Sequence, residues 1–176
     1  MVCATDRNTK QLKEVFAAHE SRYGSKLLLL GLDVRERGQW DSTCHTMVEA
    51  WGGIDVGFNV AGYLAPRRIQ DATAEEIDLH LDVNLKGVII GTQAVAAVMA
   101  RQSSRGHIMN VSSMAAGDMS HPVSDLSSHA LSAVAPVSGV TLYAATKYGV
   151  RGFSLAAAKA LQPTCSHNPT CSTTPL

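Results

Sequence analysis

Tyr143 and Lys147 stand four positions apart in Tyr143-Ala144-Ala145-Thr146-Lys147. On a helix that spacing puts both side chains on one face, so a phenol and an ammonium project into the same space. A nearby cation favours the phenolate, which makes the hydroxyl usable as a general acid or base near neutral pH. Alone the pair is a weak signal, because Tyr-x-x-x-Lys arises often by chance and then marks a surface pair.

Four other places carry polar groups at the ends of apolar runs. Ser112 and Ser113 follow the run 106–111, and the carboxyl end of a strand is where open α/β sheets bind ligands. Ser113 could hydrogen-bond a reacting oxygen there, or simply form a turn. Asn59-Val60-Ala61-Gly62 follows the run 54–59; its small residues let a ligand approach the backbone, and also suit a tight βα turn. Asp33 and Val34 end a third run, and Asp6 and Arg7 a fourth, where an acidic group could accept from a ribose hydroxyl. Asn84, in Asp82-Val83-Asn84-Leu85, falls within a helical stretch where its amide could bond a neighbouring carbonyl or a water, or face solvent.

These residues need a scaffold. Residues 2–5, 27–32, 54–59 and 106–111 read as strands, and the continuous apolar run at 27–32 suits a parallel strand covered on both faces. Leu12, Val15 and Phe16 recur at helical spacing before Gly24, as do Trp40, Cys44, Met47, Val48 and Trp51 before Gly52-Gly53. Thr73-Ala74-Glu75-Glu76 reads as a capping box opening a long helix to about Gln102. A further helix runs over about 142–161 and Pro163 stops it. Strands alternating with helices predict an α/β fold with a doubly wound parallel sheet.

Composition narrows the function classes. The chain has 176 residues, 45% of them hydrophobic, which predicts one domain with a sizeable core. Fifteen Lys+Arg balance fifteen Asp+Glu, so the basic excess of a nucleic-acid binder or polybasic membrane-surface protein is missing. Four cysteines do not make a disulfide scaffold. Cys165, His167 and Cys171 fall one ligand short of a structural zinc site, so no metal is expected. The longest apolar segment, 88–100, is short for a bilayer span, and the amino terminus has no secretory signal, so a cytoplasmic protein without membrane contact is expected.

In order and spacing, Asp6, Asp33, Asn59, Asn84, Ser113, Tyr143 and Lys147 resemble the short-chain dehydrogenase/reductase family, nicotinamide-dependent oxidoreductases with a Rossmann fold. The resemblance runs from residue 1 to about Gln162, and Phe58-Asn59-Val60-Ala61-Gly62 looks like the family's Asn-Asn-Ala-Gly motif with Val60 in place of the second Asn. It implies hydride transfer between a nicotinamide cofactor and an alcohol or carbonyl substrate. Tyr143 would be the acid/base, Lys147 would favour its ionised form and bind the nicotinamide ribose, Ser113 would orient the reacting oxygen, and Asn84 would hold the proton relay. Asp33 and Val34 would line the adenine, and Asn59, Ala61 and Gly62 would pack along the cofactor. Asp6 favours NAD, whereas Arg7 stands where NADP-preferring relatives carry a cation, which keeps NADP open.

The sequence also departs from that pattern. The family's Thr-Gly-x-x-x-Gly-x-Gly turn, which cradles the pyrophosphate, has no counterpart here, and the resemblance starts at the second strand. The expected fold is therefore an incomplete, Rossmann-like doubly wound sheet lacking the first strand and glycine-rich turn, in a chain truncated at both ends. Strands 2–5 and 54–59 would present unpaired apolar edges to an empty slot. Residues 1–162 would form the partial NAD(P)-binding domain, 114–141 an insertion rich in Ser, Ala and Pro, and 163–176 a polar, disordered tail. Cofactor binding by such a chain would be weak. The alternatives are a catalytically inactive truncated member and a non-catalytic module that pairs with an intact relative. A homo-oligomer would form through helices 73–102 and 143–161.

Overall fold

A computed structural model describes residues 1–102, 105–113 and 139–161. Strand β1 (Val2–Asp6) leads into α1 (Thr9–Tyr23), whose first turn is capped by Asn8: its Oδ1 accepts from the Gln11 N–H at 3.1 Å. Gly24 ends α1 at φ 49°, and β2 (Leu27–Gly31) follows. Helix α2 (Arg37–Trp51) stops at Gly52, whose left-handed φ of 82° suits glycine. Then come β3 (Val56–Asn59), α3 (Ala74–Leu81), one π-helical turn (Asp82–Lys86), α4 (Gly87–Met99), β4 (His107–Asn110) and α5 (Thr141–Ala160).

The capping box expected at Thr73 is present, with the Glu76 N–H donating to Thr73 Oγ1 and the Thr73 N–H donating to Glu76 Oε2. Strand β3 starts two residues later than the apolar run. The Ile54 N–H donates to Gln102 Oε1 at 3.0 Å and the Ile54 carbonyl accepts from Gln102 Nε2 at 2.8 Å, so a side chain occupies the edge there.

The strands pair in parallel, as expected, but in two separate two-stranded sheets. Val2 to Asp6 lie opposite Leu27 to Gly31, and Val56 to Asn59 opposite His107 to Asn110. Strand β2 is only half-buried rather than covered on both faces. The core lies between α2, α4 and the β3–β4 sheet, where Leu32, Trp40, Cys44, Ile54, Ala94 and Val95 are buried together. The Trp40 indole N–H donates to the Val34 carbonyl at 3.1 Å, anchoring α2 to the chain after β2.

The helix from Ala74 to Met99 is continuous over 26 residues, with a mean hydropathy of 1.3. By length and composition it could cross a membrane, which the 88–100 stretch alone did not suggest. In the fold it packs against α2, α5, β3 and β4, and it buries His80, Asn84 and Thr92. Residues 114–138 of the expected insertion lie outside the described residues. So does the tail 163–176, with Pro163, Cys165, His167 and Cys171. Cys3 and Cys44 are free thiols; burial pushes Cys3 up to about 11 and raises Cys44, which leaves both as poor nucleophiles.

Candidate active site

Helix α5 brings Tyr143 and Lys147 to one face, and the Lys147 Nζ lies 5.5 Å from the centre of the Tyr143 ring. That is within cation–π range. Lys147 is 2% exposed and its Nζ donates to the Val111 carbonyl at 2.7 Å. Burial holds the ammonium below the ordinary lysine range. Ser112 Oγ donates back to the Lys147 carbonyl at 2.9 Å, so the chain leaving β4 is fastened to α5 by two bonds. Ser113 is the next residue and is half-buried.

Asn84 sits in the π turn, fully buried. Its Oδ1 accepts from the Tyr63 N–H at 2.6 Å, and its Nδ2 donates to the Tyr63 carbonyl at 2.8 Å and to Thr146 Oγ1 at 3.1 Å. Thr146 Oγ1 in turn donates to the Tyr143 carbonyl at 2.7 Å. The neighbouring carbonyl expected for Asn84 is thus that of Tyr63, and one amide ties the loop after β3 to the turn of α5 that carries the tyrosine. His80 supports the same loop. Its Nδ1 lies 2.7 Å from the Glu76 carbonyl and must donate, so Nε2 accepts from the Ala65 N–H at 3.4 Å. The His80 ring also meets the Tyr63 ring edge-on at 4.8 Å. The Arg67 N–H donates to the Gly139 carbonyl at 2.7 Å, which fixes the loop to the start of α5.

Beside these hydrogen bonds opens a crevice of about 490 Å³ at the carboxyl ends of β1, β2 and β3. Every crevice residue expected from the sequence lines it: Asp6, Arg7, Asp33, Val34, Asn59, Ala61 and Gly62. Gly62 forms the junction, because a Cβ there would stand 3.6 Å from Asn84 Oδ1 and 4.0 Å from Lys147 Nζ. Asp6 Oδ1 accepts from the Asn8 N–H at 2.7 Å. The Arg35 guanidinium clasps both Asp33 oxygens, at 2.6 to 3.1 Å, and holds that carboxyl below the usual range. The Asn59 side chain is buried, and its Nδ2 donates to Asn110 Oδ1 at 2.8 Å and Thr92 Oγ1 at 3.3 Å. It therefore joins the ends of β3 and β4 to α4.

Thr146, Tyr63, His80 and Arg35 were not among the residues singled out from sequence. Thr146 lies inside the Tyr143–Lys147 motif, yet its partner is 62 residues away. Tyr63 acts through its backbone, which leaves no mark in residue type. Arg35 had a signal, since it stands two residues from Asp33 at the end of a strand.

Asn84, Ser113, Tyr143 and Lys147 are not part of the crevice lining, which reaches Asn84 and Lys147 only through Gly62. Parallel strands whose carboxyl ends surround a crevice, with helices packed against them, define a Rossmann-like α/β protein. The model of the short chain dehydrogenases matches residues 1–171, and the chain belongs to that family. It is 36% identical over 132 residues to the 3-alpha-(or 20-beta)-hydroxysteroid dehydrogenase of Mycobacterium tuberculosis, covering 75% of this chain and 44% of that protein. It is 32% identical over 162 residues to the cyclopentanol dehydrogenase of Comamonas testosteroni, covering 92% and 57% respectively. Among solved structures, the serine dehydrogenase of Escherichia coli superposes with a TM-score of 0.72 at 29% identity, covering 93% of this chain and 66% of that one. A short-chain type dehydrogenase/reductase of Mycobacterium marinum superposes with a TM-score of 0.76 at 26% identity, covering 93% and 58%. The chain spans about half the length of the curated relatives it matches.

Proposed function

We propose that this chain carries the crevice and proton relay of an NAD(P)-dependent oxidoreductase acting on an alcohol or carbonyl substrate. The observation that carries the reading is Lys147, buried, bonded to the Val111 carbonyl and held beside the Tyr143 ring. The residues present suit the nicotinamide and adenosine ends of a dinucleotide, while the pyrophosphate between them has no glycine-rich turn among these residues to hold it. Gly62 leaves open the space next to Asn84 and Lys147 that a Cβ would fill, and two acidic side chains, Asp6 and Asp33, face the far part of the crevice.

A nicotinamide, when bound, supplies the hydride chemistry. Tyr143 exchanges a proton with the substrate oxygen, and Ser113 orients that oxygen. Lys147 keeps a positive charge beside the phenol and offers a donor to a ribose hydroxyl. Asn84 holds the loop and α5 together so that this geometry persists. Asp33 and Val34 line the adenine side, and Asn59, Ala61 and Gly62 form the wall along the cofactor. Asp6 supports NAD over NADP, with Arg7 as the counterweight. The names of the relatives support a hydroxyl-bearing small molecule as substrate. Exposed Leu81 and Leu155, on α3 and α5, support the use of these helices in a homo-oligomer.

The test is titration of the chain with NADH and with NADPH, followed by nicotinamide fluorescence, beside NAD reduction with cyclopentanol and a 3-alpha-hydroxysteroid. Saturable binding that Lys147→Met weakens at least about tenfold, with turnover lost in Tyr143→Phe, supports the reading. Turnover unchanged in Tyr143→Phe overturns it. No binding up to about millimolar NADH favours the second reading, a family member that pairs with another polypeptide without catalysing. The separation of the parallel strands into two sheets is the observation behind that reading.

A further inference from the structure

Asp33 leaves β2 at the rim of the crevice, and the Arg35 side chain folds back onto it. Among the described residues the carboxylate accepts four hydrogen bonds, two at each oxygen, and all of them come from Arg35. Oδ1 takes the Arg35 main-chain N–H at 3.0 Å and the Nε–H at 2.9 Å. Oδ2 shares that Nε–H at 3.1 Å and takes Nη2 at 2.6 Å. An ionised carboxylate has about four lone-pair positions, so this one is filled from within a single turn.

An ion pair between partly exposed side chains is ordinarily weak, but the backbone holds this one in place. The Asp33 N–H donates to Gln39 Oε1 at 2.7 Å, and the Glu36 N–H donates to the Asp33 carbonyl at 3.0 Å. Between them the Val34 carbonyl accepts from the Trp40 indole. With the turn pinned at both ends and in the middle, closing the contact costs little chain entropy. A fork of two guanidinium nitrogens on two carboxylate oxygens is also the strong form of the pair.

Inside the crevice Asp33 stands beside an aliphatic wall of Leu32, Val34, Val83 and Val88. Such a wall suits the flat face of a purine. The other carboxylate of the lining, Asp6, is on β1 and already accepts the Asn8 N–H. Asp33 is therefore the acceptor that an exocyclic amino group on the base would need. A hydrogen bond to a charged acceptor ordinarily gives roughly ten- to a hundredfold discrimination. Here bonds to Arg35 must open before that bond can form, which offsets the gain.

We propose that Arg35 masks Asp33, so that the crevice takes a nicotinamide dinucleotide without reading the amino group of its purine. The proposal rests on the cofactor reading above and adds a specificity to it. Hypoxanthine, which carries a carbonyl where adenine carries the amino group, is accepted as well as adenine. The guanidinium beside the carboxylate also offsets the repulsion that the carbonyl oxygen would otherwise meet. Arg35 is not part of the crevice lining; it is a positioning residue that acts through Asp33.

The test compares NADH with reduced nicotinamide hypoxanthine dinucleotide at pH 7, each titrated into the 176-residue chain while nicotinamide fluorescence is followed. The parent should bind the two within about twofold of each other. Arg35→Gln should favour NADH by at least about tenfold, because the carboxylate is then free to accept the amino group. Arg35→Lys, whose single ammonium does not fork both oxygens, should fall between them. The lysine variant also keeps the test available if Arg35→Gln fails to fold by circular dichroism. Adding Asp33→Ala to Arg35→Gln should abolish the new preference, which a merely structural role of Arg35 would not do. Arg37→Gln removes an equal charge nearby, from a side chain paired with Asp41, and should behave as the parent does. A preference that is the same in the parent, Arg35→Gln and Arg35→Lys, or that falls when Arg35 is replaced, overturns the proposal and leaves the cofactor reading standing. Absence of binding in the parent and in every variant overturns both. Binding that appears only once Arg35 is replaced, with NADH preferred, supports the proposal.

Discussion

The ammonium of Lys147 donates to the main-chain carbonyl of Val111 across 2.7 Å, while Ser112 Oγ donates back to the Lys147 carbonyl. A helix residue and the two residues beyond a strand thus hold each other. The bond satisfies the charge at the cost of hydration, and the strand's carboxyl end becomes the fixed point around which Tyr143, Asn84 and Gly62 are arranged.

That burial has a pH signature. The folded pKa of Lys147 lies below the ordinary 10.5, so the unfolded chain binds the proton more tightly. Charged Lys147 therefore penalises the fold at neutral pH, and the penalty is relieved as pH rises through its folded pKa toward 10.5. Urea unfolding of the parent and of Lys147→Met at pH 7 and pH 10 should show the difference shifting in the parent's favour at the higher pH. A difference that stays flat would mean the ammonium is well solvated.

Asn84 makes three hydrogen bonds with no exposed surface. Asn84→Ala should destabilise by about 2–4 kcal/mol, since it strands buried groups of Tyr63 and leaves a void. Thr146→Val should cost about 1 kcal/mol, and the double variant less than the sum, because the two share a bond. Denaturant unfolding of the four chains measures the coupling.

The Asp33–Arg35 pair works with the opposite sign. Asp33 is held below its ordinary 3.8, chiefly by hydrogen bonds from the Arg35 side chain. Its contribution is present above that value and is lost as pH falls through the folded pKa. Arg35→Gln should therefore be less stable than the parent at pH 7 and indistinguishable in strong acid. Asp33 titration by carboxyl NMR should move upward in the variant.

Two glycines should separate packing from access. A Cβ on Gly91 would meet the Trp40 ring at 2.6 Å and overlap the Asn59 amide, so Gly91→Ala should destabilise by about 1–3 kcal/mol. A Cβ on Gly62 meets nothing closer than 3.6 Å. Gly62→Ala should keep stability within about 0.5 kcal/mol while weakening any NADH binding severalfold, since it fills the crevice beside Lys147. Thermal unfolding and fluorescence titration of both variants separate the two effects.

Much of this was legible in the sequence because the signals were local. The capping box at Thr73, the glycine stops at Gly24 and Gly52, and the helical spacing of Tyr143 and Lys147 all depend on residues within a turn of each other. The crevice residues were legible because polar groups after apolar runs fall at strand ends. The features that stayed hidden depend on distance in the chain. Asn84's grip on Tyr63 and Thr146, and the turning of the Asn59 side chain toward Asn110, come from tertiary packing. The Ala74–Met99 helix was foreseen as one element, but its π turn was not, since Asp82-Val83-Asn84-Leu85-Lys86 has no composition that marks it.

That wide turn sets a phase difference within one rod. Each added residue rotates the downstream half of the helix by roughly 100°, so the half before Asp82 and the half after Lys86 address different neighbours. His80 looks to the loop after β3, whereas Ala94 and Val95 look to the sheet and α2. Deleting a residue between 82 and 86 would leave two sound half-helices aimed at the wrong walls, so the length of this short stretch is constrained more tightly than the identity of most residues in it.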